Sequence, residues 1–172
     1  MTDPIKLIGN VASPYTRKMV AYLRYKRIPY EVIWGQPEDI LKKMNIEPPK
    51  PILLPVFILD RDGQATAVTD STPLIWEFEK KYSDRSVLPK DPALNFINFV
   101  LEDFGDEWCT KFMFHYRWHF DEDADNAGTI LPLGINSNLK DDELAFFKEH
   151  FAKRQIDRLW VVGSNNDTAE FI

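Results

Sequence analysis

The chain has 172 residues, enough for one domain of ordinary size or two small ones. Its 27 acidic against 21 basic side chains leave a formal charge of −6. The basic trio Arg24, Lys26 and Arg27 is soon offset by acids, which argues against a protein that grips nucleic-acid phosphates. A single cysteine, Cys109, excludes an intrachain disulfide and a cysteine-based zinc site; with no signal-like start and no apolar run near 18 residues, a soluble protein of the reducing cytoplasm is expected, with no membrane or nucleic-acid partner.

Lys6 to Gly9 predicts a short strand ending in a turn at Asn10. Ser13-Pro14 predicts a helix start, because serine caps well and proline has no N–H to leave unpaired at the first helical position. Met19, Val20 and Leu23 give the following segment, Tyr15 to Arg27, one apolar face, and Pro29 is expected to stop it before a second strand at Tyr30 to Trp34. Pro37 to Asn45 reads as a short helix or irregular arm, and Pro48-Pro49-Lys50-Pro51 excludes regular structure. A strand over Pro55 to Asp60, turn chemistry at Arg61-Asp62-Gly63 and a returning strand at Thr66 to Thr69 predict a hairpin. Ser71 is expected to cap a further helix with Leu74, Ile75 and Phe78 inside, ending near Tyr82.

Ser83 to Asp91 reads as a linker, and beyond it the pattern changes. One long helix is expected from Pro92 to about Phe120, with Ile97, Leu101, Phe104, Trp108, Phe112, His115 and His119 sharing a face. Asp121 to Asn138 reads as a polar loop, and Asp141 to about Trp160 as a second amphipathic helix. Asn166-Asp167-Thr168 resembles a helix cap and Ala169 to Ile172 the first turn after it, so the helical part is expected to be incomplete. His115 and His119 have metal-ligand spacing, but the surrounding helix is aromatic and no HExxH glutamate lies between them, so no metal is expected. Cys109 is expected to be a small buried residue.

The order β-α-β-α-β-β-α, with a parallel first pair and an antiparallel hairpin, is the thioredoxin-like arrangement. Three local patterns follow one another on it: Ser13-Pro14-Tyr15-Thr16-Arg17-Lys18 after the first strand, Leu54-Pro55-Val56 opening the third, and Asp70-Ser71 opening the last helix. In this order they resemble the glutathione S-transferase superfamily, in its serine-type, bacterial-like form. The resemblance implies an α/β plus all-α fold: a thioredoxin-like glutathione-binding domain at 1–83, then a helical C-terminal domain at 91–172. It also implies glutathione as co-substrate, a small electrophile as second substrate, a detoxifying conjugation and a homodimer.

By the same resemblance Ser13 is the catalytic hydroxyl that stabilises the glutathione thiolate. Physically, a side-chain oxygen at a helix N-cap sits at the positive end of the macrodipole beside backbone N–H groups, which favours an anion. Serine cannot form mixed disulfides, so thiol–disulfide exchange is disfavoured. Tyr15, one residue into the helix, is expected to pack. Pro55 resembles the superfamily's cis-proline, which would turn the backbone of Leu54 outward to pair with the cysteinyl part of glutathione like an added strand; a trans proline starting an edge strand is the alternative. Ser71, at a helix N-terminus, suits the γ-glutamyl carboxylate, and Asp70 suits the neighbouring ammonium, although glutamate is usual there. Lys50, Arg17 and Lys42 are open candidates for the glycyl carboxylate. Asp70 for glutamate also leaves a non-catalytic glutathione-binding or regulatory module as the alternative function.

Overall fold

Strand β1 (Ile5–Gly9) runs parallel to β2 (Tyr30–Trp34) on one side and antiparallel to β3 (Val56–Arg61) on the other. β4 (Gln64–Val68) completes the sheet in the order β2-β1-β3-β4. These elements come from a computed structural model that describes residues 3–172, so the first two residues of the expected domain 1–83 lie outside it. The chain divides into two compact units between Leu88 and Pro89.

In the first unit the sheet's period of two sorts its side chains between two cores. Leu7 and Phe57, a cross-strand pair, face α1 (Pro14–Lys26) and α3 (Ser71–Lys81), where Met19, Tyr22, Leu23, Leu74 and Phe78 close over them. The next pair, Ile8 and Val56, faces the opposite side with Leu41 of α2 (Pro37–Met44). Of the two expected alternatives for this segment, the short helix is the one that forms. α1 ends at Lys26, because Arg27 turns left-handed (φ 58°) and lets the N–H of Ile28 reach the carbonyl of Leu23. The hairpin turn is Asp62-Gly63, both at positive φ, as a two-residue turn between right-twisted strands requires.

The second unit is helical and departs further from expectation. The single long helix is interrupted: α4 (Pro92–Asp103) passes through a π-helical turn at Phe104–Trp108 into α5 (Cys109–Trp118). One added residue rotates everything after it by about 100°. The expected common face is therefore broken: Ile97, Leu101, Phe104 and Trp108 are exposed, while His115 is fully buried. Cys109, at the start of α5, is exposed rather than buried.

The expected polar loop is instead a helix, α6 (Asp121–Ile135). Asp121, Glu122 and Asp123 favour its positive end, and the helix continues through Pro132 to Ile135. Its small residues Ala124, Ala127 and Gly128 let α7 (Asp141–Ile156) come close: a Cβ on Gly128 would lie 3.0 Å from Lys148 Cγ. Lys148 also pairs with Asp125. Trp118 fills this core, edge-on to Phe151 at 5.8 Å. A 3₁₀ turn at Leu159–Val162 follows, and Ala169–Phe171 forms another. Among the described residues, no helix is long and apolar enough to cross a membrane.

Candidate functional site

The turn from β1 into α1 is fixed before any ligand is considered. Asn10 accepts the Ala12 N–H on its side-chain oxygen at 2.9 Å, and its carbonyl accepts the Ser13 N–H at 3.1 Å. The buried Thr16 closes the loop by accepting the Asn10 N–H at 3.4 Å. Thr16 fits there because residue 9 is glycine: a Cβ would stand 2.5 Å from its methyl group. Arg17 adds a bond from Nε to the Val11 carbonyl at 2.9 Å.

Ser13 thereby caps α1, with its Oγ accepting the Thr16 N–H at 3.2 Å and Pro14 in the first helical position. With that lone pair engaged, the hydroxyl proton is left to be donated to something else. Ser13 is half-buried, so its oxygen lies at the surface end of the helix rather than in the core.

Leu54 precedes Pro55 through a cis peptide bond. Pairing with β1 begins only at Val56, opposite Ile8, and among the described residues no hydrogen bond takes up the N–H or C=O of Leu54. Thr69, at the end of β4, donates to the Leu53 carbonyl at 2.8 Å and holds this segment beside the start of α3. Asp70 enters α3 at φ 83°, ψ 114°, a left-handed conformation that side chains seldom adopt, with its carboxylate exposed and forming no cap bond. Ser71 is the first residue of α3 rather than its cap, and only 7 % of its surface is exposed.

α1 and α3 lie side by side and run in the same direction. Lys18 reaches Ser71 (Nζ to Oγ, 3.1 Å), Tyr22 donates to Glu79 at 2.8 Å, and Lys26 pairs with Glu79 at 2.9 Å while donating to the Tyr82 carbonyl at 2.6 Å. Ser86 also donates to Glu79, at 2.6 Å. Burial alone would raise the Glu79 pKa, but the hydrogen bonds from Ser86, Lys26 and Tyr22 hold it below the usual carboxylate range. Burial, then the Glu79 carboxylate, push the Tyr22 phenol well above its ordinary value.

Ser13 precedes Lys18 by five residues, so the start of α1 projects about 7–8 Å beyond the level of Ser71. An extended tripeptide spans about 10–11 Å. Of the cations expected to serve a second carboxylate, Arg17 braces the turn before α1, Lys42 lines an open groove of about 530 Å³ with Glu38 and Glu47, and Lys50 is exposed in the proline run. None of them is the partner of Ser71. Lys18, which the sequence marked only as part of the first pattern, is the cation that reaches it; the link spans 53 residues and has no local signal.

In the second unit, His115 bonds Ser164 through Nδ1 at 2.7 Å and stacks on His119 at 4.5 Å between centroids. Among the described residues its buried Nε2 has no hydrogen-bond partner. Desolvation, with His119 second, holds its pKa below the usual histidine value. Among the described residues, no group of three or more His, Cys, Asp or Glu could hold a metal ion.

A family model described as "Glutathione S-transferase, N-terminal domain" matches residues 7–86. No curated protein sequence matches the chain. Among solved structures it is similar to a glutathione S-transferase from Methylobacterium radiotolerans in complex with glutathione sulfonate, with 21 % identity, a TM-score of 0.54, and coverage of 92 % of this chain and 65 % of that one. A glutathione S-transferase from Rhodospirillum rubrum F11 gives 21 % identity and a TM-score of 0.51, over 94 % of this chain and 71 % of that one. A Tau class glutathione S-transferase from mango, Mangifera indica, gives 20 % and 0.50, over 97 % and 84 %. At these identities the likeness is one of fold. The chain spans about two thirds of the length of the Methylobacterium protein.

Proposed function

We propose that the chain, whose residues 7–86 match the glutathione S-transferase N-terminal domain, is a member of that superfamily that binds glutathione across the starts of α1 and α3 and transfers it to a small electrophile. Ser71 takes the γ-glutamyl carboxylate at the positive end of α3. Asp70 takes the ammonium beside it. The Leu54 N–H and C=O pair with the cysteinyl backbone in the manner of an added strand. The cysteinyl sulfur lies at Ser13.

A thiol of this kind titrates near pH 8.5, so little thiolate exists at neutral pH without help. The Ser13 hydroxyl, already accepting from Thr16, donates to the sulfur, and the α1 dipole adds to that bond. Together they are worth about 1–3 kcal/mol, or about one to two units of thiol pKa. The thiolate then attacks the electrophilic carbon. A sulfur–carbon bond forms, and either a leaving group departs with its electron pair or the adduct takes up a proton.

The observation that carries this reading is the pairing of Ser13 and Ser71 at the same end of two parallel, hydrogen-bonded helices, beside the unpaired backbone of Leu54. Ser13→Ala is expected to lower conjugation about tenfold or more while calorimetric affinity for glutathione stays unchanged. Equal turnover by the variant would remove Ser13 from the mechanism.

The second reading is a glutathione-binding or regulatory module without turnover. It is favoured by Asp70, whose short, exposed carboxylate stands where the superfamily usually has glutamate. Retention on immobilised glutathione without activity toward a panel of electrophiles would select it. The superfamily premise further suggests a homodimer, and the single unpaired cysteine a cytoplasmic location.

A further inference from the structure

We propose that Arg17 receives an acidic group of the second substrate, so that the electrophile belongs to the class of apolar compounds carrying a carboxylate. The inference rests on the glutathione-binding reading above and names the substrate class of that same site.

Arg17 follows Ser13 by about one turn of α1, and its backbone N–H donates to the Ser13 carbonyl at 3.1 Å. Residues four apart share a helix face, and helical side chains lean toward the N-terminus. The Arg17 side chain accordingly runs back past Ser13, where its Nε donates to the carbonyl of Val11 at 2.9 Å. That tether holds the guanidinium beside the serine and uses one of its five N–H groups. Among the described residues no carboxylate pairs with Arg17. The contrast is Arg61, equally exposed, which Glu77 grips on both Nη atoms at 2.8 and 2.6 Å. One arginine is already served and the other is not.

Position decides which anion Arg17 meets. Tyr22 and Lys26 bond Glu79 and Tyr82 and so mark the edge of α1 that faces α3. Arg17 lies about 140° round the helix from Tyr22, on the side away from α3 and the γ-glutamyl end. In the reading above the tripeptide backbone, with its glycyl carboxylate, stays with Leu54, and only the cysteinyl sulfur turns to Ser13. What stands beside Arg17 is then the group bonded to that sulfur. Val11, 47 % exposed in the same turn, offers this group an apolar surface. An electrophile with an apolar body and an acidic tip matches the two residues, because a guanidinium presents its donors as a planar fork that fits a carboxylate.

The test is calorimetry on the full chain with two glutathione conjugates, S-(4-carboxybenzyl)glutathione and S-benzylglutathione, which differ by one carboxylate at the far end of the transferred group. The native chain is expected to bind the acidic conjugate about threefold to tenfold more tightly, the range for one guanidinium–carboxylate contact at an exposed site. The preference should shrink as salt rises from about 0.05 M to about 1 M. Arg17→Met is expected to abolish it, Arg17→Lys to keep part of it and Arg17→Glu to reverse it. Any loss common to both conjugates measures the bond to Val11 and cancels in the ratio.

Equal affinities of the native chain for the two conjugates would overturn the proposal, as would a preference that survives in Arg17→Met. If Arg17→Met weakened unconjugated glutathione as much as the acidic conjugate, the guanidinium would belong to the glycyl carboxylate, which overturns it too. Should the native chain bind neither conjugate nor glutathione, the glutathione reading itself falls, which separates that failure from this one.

Discussion

The two units bury apolar surface very differently. Among the described residues, twelve of the fifteen buried hydrophobic ones lie in the first unit, on both faces of one small sheet; the second unit has Trp118, Ala124 and Ala127. α4 and α7 have no buried residue at all, and Phe96, Leu101 and Trp160 leave 67 %, 64 % and 74 % of their surface exposed. A sheet must cover both its faces and so specifies its neighbours, whereas a helix can form on hydrogen bonds and caps and leave its apolar side outward. The first unit therefore holds its site residues by packing, while the helices of the second are held at a few points.

The largest effect that could break this contrast is in the cores themselves. Phe57→Ala is expected to cost about 3–5 kcal/mol, because the ring is fully buried against Phe78 and the α1 face. Leu101→Ala on α4 is expected to change stability by no more than about 0.5 kcal/mol. Urea unfolding of the two variants measures both, and equal costs would mean that α4 is covered after all. A middle-sized effect sits at the site: Gly9→Ala forces a methyl against Thr16 and is expected to cost about 1–3 kcal/mol. Thr16→Ser, which removes the contacted methyl but keeps the hydroxyl, should recover part of it in the same assay.

The smallest effect is in acid response, and its sign differs in position between the units. His115 has a pKa held below its ordinary 6.5, so the unfolded chain binds the proton first. Stability from this group is full above pH 6.5 and is lost as pH falls from there toward the folded value. Glu79 has a pKa held below 4.5, so its contribution survives to that pH and is lost only below it. Hydrogen exchange, corrected for intrinsic rates, should therefore show the second unit loosening between pH 6.5 and 5 while the first does not. His115→Gln should flatten that response.

The same contrast governs how much was legible in the sequence. In the first unit Pro29 marks the start of β2, Asp62-Gly63 dictates the hairpin turn, and Ser13-Pro14 announces α1 through cap chemistry that acts within four residues. Local rules sufficed because the signals are local. In the second unit the π-helical turn has no such signal, and the stripe from Ile97 to His119 could not reveal the rotation. α6 was hidden by its acids and Pro132, features that read as loop until Ala124, Ala127 and Gly128 are seen as a surface for α7. At the site, Ser13 and Ser71 stand out as helix-start serines, but the contact of Lys18 with Ser71 depends on the register of two helices and is set by packing alone.

That register has a mechanical side. Glu79 grips Tyr22, Lys26 and Ser86 at once, about 12 Å of helix rise below Ser71. Two rods clamped at their bases keep a constant gap at their tips, so the mouth between the serines is gauged from the opposite end of the unit. Slackening the clamp at Ser86 would change that gauge without altering any group a ligand touches.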